Sequence, residues 1–345
     1  MRKHMSADAV ILATGGFAYE RGAGSLLQEF VPEKLKLPTT SGPQADGQGV
    51  TMARRDVGAH LVHMDQVQVH PTGLVNPDDP KNLSKMLAPE AMRGCGGILL
   101  NSQGRRFCNE LGTRAYVTEQ IAEHCSPSMG TDTKVAFLVM SGAVADAFGK
   151  PVLDFYASKK LVQEVHGAGG LAGLIGCEAA AVSEAVTAYG TAAAAGGADA
   201  FGKTAFPAKD WEEDQTFYVA AVTPCVHYTM GGVFITSSAE VVRVRDTGVF
   251  ASVLGLFAAG EVTGGVHGAN RLAGNSLLEC VVFGRLAGRR AAQITQDVLP
   301  ALDPSHFTPV RLRHKKVISE QGSIYEFSFE LPSSRHTVYP WMSTG

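Results

Sequence analysis

A short apolar segment that ends in a glycine turn constrains the fold of this chain more than any other feature. Residues 8–13 are largely apolar and run directly into Thr14-Gly15-Gly16. A buried parallel strand commonly leads into such a turn, because glycine allows the backbone to approach its neighbours closely. The pattern therefore predicts an α/β fold with a buried parallel strand at this point.

From residue 218 the sequence again has the pattern of strands, with candidates at 218–222, 232–236, 241–245 and 255–259. A helix is expected to follow from about Asn275 to Gln293. Candidate sheet strands therefore lie on both sides of residues 65–228. This arrangement favours one sheet domain, formed by residues 1–64 and 229–298, that is interrupted by an inserted α+β domain at 65–228.

Several other elements are expected from local patterns. Residues 45–60 suit a helix with Asp46 as its N-cap, a strand is expected at 97–101, and a second helix is expected at 114–124. Residues 135–200 are rich in alanine and glycine and are predicted to be helical in tendency. The alanine-rich stretch near the end of that range favours an exposed loop or a loosely packed helix without chemistry.

The end of the chain has a different composition from the rest. Residues 310–318 and 323–331 alternate as two strands joined by a glycine-containing turn. Two strands alone do not form a stable domain. Residues 306–345 are therefore predicted to be the start of a further module that is cut short.

Composition excludes several classes of protein. The formal net charge is −3 and the basic residues are scattered, so a nucleic-acid partner is not expected. The start of the chain lacks the long apolar stretch of a signal peptide or a membrane span, so no membrane partner is expected. Six widely separated cysteines without a nearby histidine set predict no metal site and favour an intracellular, reducing compartment.

Glycine-rich segments carry the basic side chains that are candidates for chemistry. These are two histidines and three arginines: His70, Arg93, Arg114, His227 and Arg271. If all of these except Arg93 converged on one cleft, they would suit a small dicarboxylate, because arginine pairs with carboxylates in a bidentate manner. Glu90 precedes Arg93 at a helical spacing that fits either a structural ion pair or a proton relay.

A glycine loop followed by a helix start is a second candidate site. Residues 260–265 and 274–278 fit a strand, a loop and the beginning of a helix, which presents free backbone N–H groups and the positive end of the helix dipole. Such a terminus favours an electron-rich group, for example the pyrimidine edge of a flavin. An ordinary helix capped by Asn275 or Ser276 fits the same residues equally well.

Taken in order, these segments resemble the fumarate reductase and succinate dehydrogenase flavoprotein superfamily, and within it the soluble fumarate reductases of the flavocytochrome and trypanosomatid NADH-dependent type. The resemblance covers about residues 8–295. It implies an FAD-dependent reduction of fumarate to succinate. It rests on Ala13-Thr-Gly-Gly16, Gln68-Val-His-Pro-Thr72, Glu90-Ala-Met-Arg-Gly94, His227-Tyr-Thr-Met-Gly-Gly232, Ala259-Gly-Glu-Val-Thr-Gly-Gly-Val-His-Gly-Ala-Asn-Arg271 and Gly274-Asn-Ser276.

The resemblance implies a role for each basic side chain. Arg114 matches the arginine that protonates one alkene carbon while a hydride from the flavin reaches the other. Arg93 and Glu90 match the relay that resupplies its proton. The groups that bind and polarise the substrate carboxylates match His70, His227 and Arg271. An arginine acid is reasonable only if proton transfer accompanies hydride addition, because the developing carbanion is a far stronger base than water.

The same resemblance implies a noncovalently bound FAD and no metal. It places the first glycine turn, at Ala13, Gly15 and Gly16, near the dinucleotide. Two acidic residues, Asp46 and Glu261, are implied at the ribityl or ribose hydroxyls. The residues implied at the isoalloxazine ring are Tyr228, Asn275, Ser276 and Leu277. Residues 65–228 would be a capping domain that closes over the substrate and excludes water.

Three differences from the family pattern add expectations. No Gly-x-Gly-x-x-Gly turn precedes Asp8, which predicts an incomplete, Rossmann-like FAD-binding domain without its dinucleotide motif. Pro89 stands where the family often has a threonine that bonds the substrate. The hairpin from Pro309 to Leu331 resembles the first hairpin of a β-barrel, cytochrome b5 reductase-like domain, so electron supply from NADH would need a domain that is largely absent here.

Two other hypotheses remain open from the sequence. One is a reductase or dehydrogenase of another unsaturated substrate on the same scaffold, such as urocanate or a ketosteroid, although Arg114 with His70 and Arg271 favours a dicarboxylate. The other is a catalytically inactive fragment that keeps the site residues by descent. The related enzymes occur in glycosomes, mitochondria and cytosol, so an intracellular compartment is expected without a finer assignment.

Overall fold

The structure, a computed structural model, describes residues 7–245, 247–298, 311–317 and 325–330. Its α-helices are α1 (Leu26–Phe30), α2 (Gln48–Val57), α3 (Glu90–Gly94), α4 (Arg114–His124), α5 (Gly142–Phe148), α6 (Lys150–Ser158), α7 (Gly167–Ile175), α8 (Ala179–Ala195) and α9 (Asn275–Val298). Its strands are β1 (Val10–Leu12), β2 (Leu61–Val62), β3 (Val67–Leu74), β4 (Met86–Leu87), β5 (Ile98–Leu100), β6 (Ser126–Pro127), β7 (Lys134–Met140), β8 (Gln163–His166), β9 (Thr216–Thr229), β10 (Gly232–Phe234), β11 (Glu240–Val244), β12 (Phe250–Ala258), β13 (Thr263–Gly264), β14 (Arg311–Val317) and β15 (Tyr325–Glu330).

The first sheet joins the start of the chain to its last third. β1 pairs in parallel with β12, and β12 pairs antiparallel with β11. Helix α9 packs on this sheet through buried Phe257 and Ala287. The predicted parallel strand is therefore present, but it is not buried, because Val10 and Ile11 are 48% and 40% exposed. Within the described residues β1 is an edge strand that pairs only with β12, which leaves its outer side open.

A second, small sheet brings together β2, β10 and β13, which are distant in the sequence. β10 pairs in parallel with β13 and antiparallel with β2. A Cβ atom on Gly231 would lie 2.5 Å from Met64 Cα, and one on Gly264 would lie 2.6 Å from Gly232 N. None of these glycines has a positive φ. Space, and not backbone torsion, therefore excludes a side chain at these glycines.

Residues 67–229 contain a seven-stranded sheet with the order β4-β3-β9-β7-β5, to which β6 and β8 pair at β7 and β9. Strand β7 is interior, and its residues from Val135 to Met140 are all buried. The helical prediction for residues 135–200 is wrong at β7, because a short apolar run has the same hydropathy in a central strand and in a buried helix. Helices α5 to α8 occupy most of the remaining range, and α8 includes much of the alanine-rich stretch.

Two further elements differ from their predicted extent. The helix predicted at 45–60 is the shorter α2, because Gly47 and Gly58 cap it in left-handed conformations with φ of 72° and 67°. Asp46 is not the N-cap, although its Oδ1 accepts a hydrogen bond from Gln48 N at 2.9 Å. The strand predicted at 218–222 is the longer β9, which pairs with β3 on one side and β7 on the other.

Helices α4 and α9 begin where the sequence predicts. Near the end of the chain β14 and β15 pair antiparallel, and the rest of the predicted 306–345 module lies outside the described residues. No helix in the described part of the chain is long and apolar enough to cross a membrane. The same residues contain no cluster of histidine, cysteine and acidic side chains that would hold a metal ion.

Candidate active site

Arg114 is fixed at the start of α4 by a bidentate ion pair. Thr113 caps the helix by accepting a hydrogen bond from Tyr116 N at 3.3 Å. The Arg114 guanidinium donates from Nε to Glu90 Oε1 at 2.7 Å and from Nη2 to Glu90 Oε2 at 3.0 Å. The hydrogen bonds from Arg114 lower the pKa of Glu90, and burial opposes this shift. Glu90 therefore remains ionised and holds the plane of the guanidinium.

Glu90 and Arg93 both lie on α3, but they do not form the local ion pair that their spacing suggested. Glu90 pairs with Arg114 from α4 instead, whereas Arg93 is buried and donates from Nη1 to the main-chain oxygen of Glu110. Arg93 Nε is buried without a hydrogen-bond partner. Burial lowers the pKa of Arg93, while Glu90, Cys108 and Glu110 oppose the shift. The relay role of Arg93 stays a prediction.

A buried histidine, His70, and a half-buried one, His227, lie on neighbouring strands beside the arginines. His70 Nδ1 accepts a hydrogen bond from Thr72 N at 3.2 Å, which puts the proton of a neutral ring on Nε2, and that atom is buried without a partner. His227 Nδ1 and Thr40 Oγ1 lie 2.6 Å apart. The two imidazole rings are 5.2 Å apart between centres.

The electrostatic environment keeps both histidines neutral at neutral pH. Burial lowers the pKa of His70 to about 2, with further contributions from His227 and Arg114. Burial also lowers the pKa of His227 to about 4, with further contributions from Arg271 and Arg114. Both imidazoles therefore act as hydrogen-bonding groups and not as cations in this site.

Arg271 lies over the ring of Tyr228, with its guanidinium carbon 4.8 Å from the ring centre. Its Nη1 donates to Leu272 O at 3.2 Å and its Nε is buried without a partner. The Tyr228 hydroxyl donates to Glu279 on α9. Burial raises the pKa of Glu279 to about 7. Glu279 therefore orients Tyr228, and Tyr228 supports Arg271.

His267 completes this group from the glycine loop that precedes α9. Its Nε2 lies 2.6 Å from Glu279 Oε2, at an ion-pair distance but without the geometry of a hydrogen bond. Its ring meets that of Tyr228 edge to face at 5.6 Å between centres. No local pattern in the sequence indicates a role for Glu279 or His267, because only the fold brings them to Tyr228.

Gln68 connects two of the arginines. Its Oε1 accepts from Arg114 Nη1 at 2.6 Å, and its Nε2 donates to Arg271 O at 2.8 Å and to Asn270 Oδ1. Its side chain is buried. The one indication in the sequence is its position at the start of the 68–72 motif, two residues before His70. Gln68 thus links α4 to the glycine loop of residues 264–274.

These contacts bring the predicted basic residues together around a common point. Three arginines against the single carboxylate of Glu90, with both histidines neutral, leave two net positive charges among these six side chains. His70 Nε2 and Arg271 Nε are donors without a protein partner. A small dianion with two acceptor groups fits this charge and these donors.

The end of β1 lies against Glu261. A Cβ atom on Gly16 would lie 2.1 Å from Thr229 Oγ1 and 2.4 Å from Glu261 Oε1, so only glycine fits there. Thr229 donates from N and Oγ1 to Glu261 Oε1 at 2.8 and 3.0 Å. Burial raises the pKa of Glu261 to about 7. Ala13 is exposed beside this contact, Gly15 has a φ of 76°, and the turn before α2 returns to Gly16 O through Gly47 N at 3.2 Å.

Helix α9 begins at Asn275 without a side-chain cap. Neither of the residues expected as an alternative N-cap has that role, because both lie inside the helix and Asn275 Nδ2 donates to Leu272 O at 3.4 Å. In the described part of the chain no side chain accepts from the N–H groups of Ser276 or Leu277, and the Leu277 side chain is 77% exposed. The first turn therefore offers free N–H groups and a positive dipole end to a ligand.

The glycine turn after a parallel strand, the acid Glu261 beside it and the open helix terminus define a dinucleotide-binding flavoprotein fold. The chain belongs to the FAD binding domain family, whose description matches residues 2–277. The first turn of α9 fits the cofactor of that family, since it offers free N–H groups.

Within this class, the chain is similar to fumarate reductases. The chain is 42% identical over 289 residues to the fumarate reductase of Schizosaccharomyces pombe, covering 84% of this chain and 53% of that protein. It is also 42% identical over 300 residues to fumarate reductase 1 of Saccharomyces cerevisiae, covering 84% of this chain and 60% of that protein. The chain thus spans little more than half the length of these relatives.

A solved structure supports the same grouping. The open conformation of a flavocytochrome c3 fumarate reductase is similar with a TM-score of 0.65 and 33% sequence identity, covering 84% of this chain and 46% of that chain. The fold over the matched part is therefore similar to that of this flavoprotein.

Proposed function

We propose that this chain forms the substrate site of an FAD-dependent enzyme that reduces fumarate to succinate. The observation that carries the proposal is the pairing of Arg114 with Glu90 next to two neutral histidines and the unpartnered Nε of Arg271. The similarity to fumarate reductases supports the same reaction. FAD, when bound, supplies the hydride, and the residues of this chain bind the substrate and deliver the proton.

The charge of the site supports a dicarboxylate substrate. Two net positive charges match the two negative charges of fumarate, and a guanidinium binds a carboxylate through two parallel hydrogen bonds. His70 Nε2 adds a neutral donor that does not repel the arginines. A monocarboxylate such as urocanate or a neutral ketosteroid would leave one or more of these buried donors unpaired, at a cost of about 1–3 kcal/mol for each.

Arg114 is the proposed acid. Its Nε and Nη2 protons are directed to Glu90, and its Nη1 proton to Gln68, so the guanidinium is held by three hydrogen bonds. Its position at the first turn of α4 adds the positive end of a helix dipole, which favours the anionic substrate. Glu90 is ionised, so it can return a proton to Arg114 only after it takes one up from Arg93, the proposed next member of the relay.

The proposed cofactor contacts involve two parts of the chain. Ala13, Gly15 and Gly16 would lie along the dinucleotide, with Asp46 and Glu261 at its hydroxyls. Tyr228 and the first turn of α9, formed by Asn275, Ser276 and Leu277, would lie at the isoalloxazine ring. We further propose that the FAD is noncovalent, that residues 65–228 cap the substrate, and that residues 306–345 begin an NADH-oxidising reductase domain of an intracellular enzyme.

The test is succinate formation from fumarate by the purified protein loaded with FAD, with a chemically reduced viologen as electron donor. Arg114→Ala is expected to abolish turnover while the flavin spectrum is retained. Arg105→Ala is the matched control, because Arg105 is an exposed arginine that forms no ion pair within the described residues. Flavin binding without turnover of fumarate in the wild type would refute the proposed reaction, and turnover of urocanate instead would assign the other substrate class.

A further inference from the structure

A buried cluster of four charged side chains lies in the connection that leads to α4. Glu110 and Lys203 have no exposed side-chain surface, and Arg106 and Asp199 retain 7% and 3%. Arg106 donates from Nε and Nη2 to the two oxygens of Glu110 at 2.9 and 3.0 Å. Lys203 Nζ donates to Glu110 Oε2 at 3.0 Å, and Arg106 Nη1 donates to Asp199 Oδ2 at 2.9 Å. Two positive and two negative charges therefore balance within a dry site.

Glu110 also contacts the candidate active site through its main chain. Its carbonyl accepts a hydrogen bond from Arg93 Nη1, and this is the one hydrogen bond from the Arg93 side chain in the part of the chain that the structure describes. Beyond Glu110 the chain passes through a tight turn, with Gly112 N donating to Asn109 O at 3.0 Å, to the N-cap Thr113. The same residue thus orients Arg93 and leads directly to Arg114.

The carboxylate of Glu110 is held from three separate directions. Arg106 belongs to the loop after β5, Lys203 belongs to the long loop between α8 and β9, and Leu99 N on β5 donates to Glu110 Oε1 at 3.3 Å. The main-chain carbonyl of Glu110 cannot move without breaking several of these contacts. A fixed carbonyl is what an otherwise unpartnered, buried guanidinium needs to keep one orientation.

We propose that Glu110 is a positioning residue for Arg93 and Arg114, and that the ion cluster with Arg106, Asp199 and Lys203 holds it in place. The inference rests on the proposed function, because the orientation of the two arginines affects catalysis only at a site that transfers a proton. Substrate affinity depends mainly on His70, His227 and Arg271, which lie on other elements. Loss of the Glu110 contacts should therefore lower kcat and leave KM nearly unchanged.

The experiment compares three variants with the wild type in the FAD-loaded protein. Glu110→Gln removes the charge and keeps the shape. Glu110→Gln/Lys203→Met removes one charge of each sign, so that the remaining Arg106 and Asp199 still balance and the variant can fold where the single one does not. Asp199→Asn is the matched control, because it weakens the same cluster on the side of Arg106 that does not touch Glu110.

Three quantities are measured for each variant: kcat and KM for fumarate with reduced viologen, the melting temperature, and hydrogen–deuterium exchange of residues 106–124. The double variant is expected to lose about 10²-fold in kcat with an unchanged KM, as a displacement of about 1 Å in a catalytic group does. Exchange at the first turn of α4 should rise in the same variant. Asp199→Asn should lower the melting temperature without either effect.

Two results would overturn the inference. The first is a folded double variant with the kcat of the wild type, and the second is an equal loss of kcat in Asp199→Asn, which would indicate a purely structural cluster. If the wild type does not reduce fumarate, the proposed function fails, and the exchange measurement still decides the positioning role. Unchanged protection at the start of α4 in the double variant would then refute it.

Discussion

Arg114 and Glu90 are 24 residues apart in the chain and share two parallel hydrogen bonds, of 2.7 and 3.0 Å. The acid proposed for catalysis and the carboxylate that would return its proton therefore form one rigid unit. A second bidentate pair, between Arg54 and Glu29, has similar distances but lies at the surface, where each side chain is more than 40% exposed. Because the two pairs share their geometry and differ in location, a comparison of their variants separates the effect of location on activity from that of ion-pair geometry.

Replacement of Glu90 by Gln should lower kcat for fumarate by about 10²- to 10⁴-fold, the usual contribution of a positioned proton-transfer group. KM should not rise, because the loss of a negative charge leaves the site more attractive to a dianion. Steady-state kinetics with reduced viologen measures both quantities. Glu29→Gln, which breaks the matched surface pair, should leave both unchanged, and a similar loss in the two variants would contradict the role of Glu90.

Replacement of Gln68 by Glu should weaken the binding of succinate at least about tenfold, or 1.4 kcal/mol. The new carboxylate lowers the net charge of the site and faces Arg271 O and Asn270 Oδ1, which now accept hydrogen bonds from the Gln68 amide. Isothermal titration calorimetry measures the affinity. Gln66→Glu, which adds the same charge outside the site, is the control, and equal affinities in the two variants would argue against the bridging role.

The buried acid Glu279 should make stability depend on pH. Its pKa is raised from 4.5 to about 7 in the folded protein, so its favourable contribution is complete below about pH 4.5 and is lost as the pH rises through 7. The shift corresponds to about 3 kcal/mol. Urea unfolding of wild type and Glu279→Gln from pH 4.5 to 8 should show this loss in the wild type relative to the variant.

The comparison of the two proteins removes the opposing contributions of His70 and His227. The lowered pKa values of His70 and His227 stabilise the fold above about pH 6.5 and destabilise it as the pH falls. These contributions are common to the wild type and to Glu279→Gln, as is that of Glu261. Parallel curves for the two proteins would show that Glu279 titrates near its ordinary value.

The backbone contact at Gly231 should tolerate no side chain. Gly231→Ala places a Cβ atom 2.4 Å from His63 O, and the resulting displacement of backbone should cost about 1–3 kcal/mol of unfolding free energy. Gly284→Ala in α9 is the matched control, because nothing lies within 4 Å of its Cβ position, and helix propensity should make it stabilising by about 1 kcal/mol. Denaturant unfolding of both variants measures the difference.

Local signals in the sequence predicted the elements that depend on local chemistry. Helix α4 begins at Arg114 as expected, because Thr113 supplies an N-cap. Strand β7 was missed, because hydropathy alone does not distinguish an interior strand from a buried helix. Helix α2 is shorter than predicted, since its apolar pattern continues past the left-handed cap at Gly58.

The sequence indicates candidate residues for the site but not the contacts among them. The sequence indicates that His70, Arg114, His227 and Arg271 carry the chemistry, and the structure brings them together. It does not indicate that Glu90 pairs with Arg114 instead of Arg93, because that choice depends on how α3 and α4 approach each other. The same holds for Glu279 and Tyr228, which are 51 residues apart and meet only in the folded chain.

The chain leaves and re-enters the small sheet at one point. Met230 N donates to Gln66 O at 2.9 Å, and Gly231 lies directly against Met64. The stretch between them, which contains the seven-stranded sheet, therefore begins and ends at neighbouring positions. Because its two ends lie side by side, its removal is expected to leave a gap that a short linker can span.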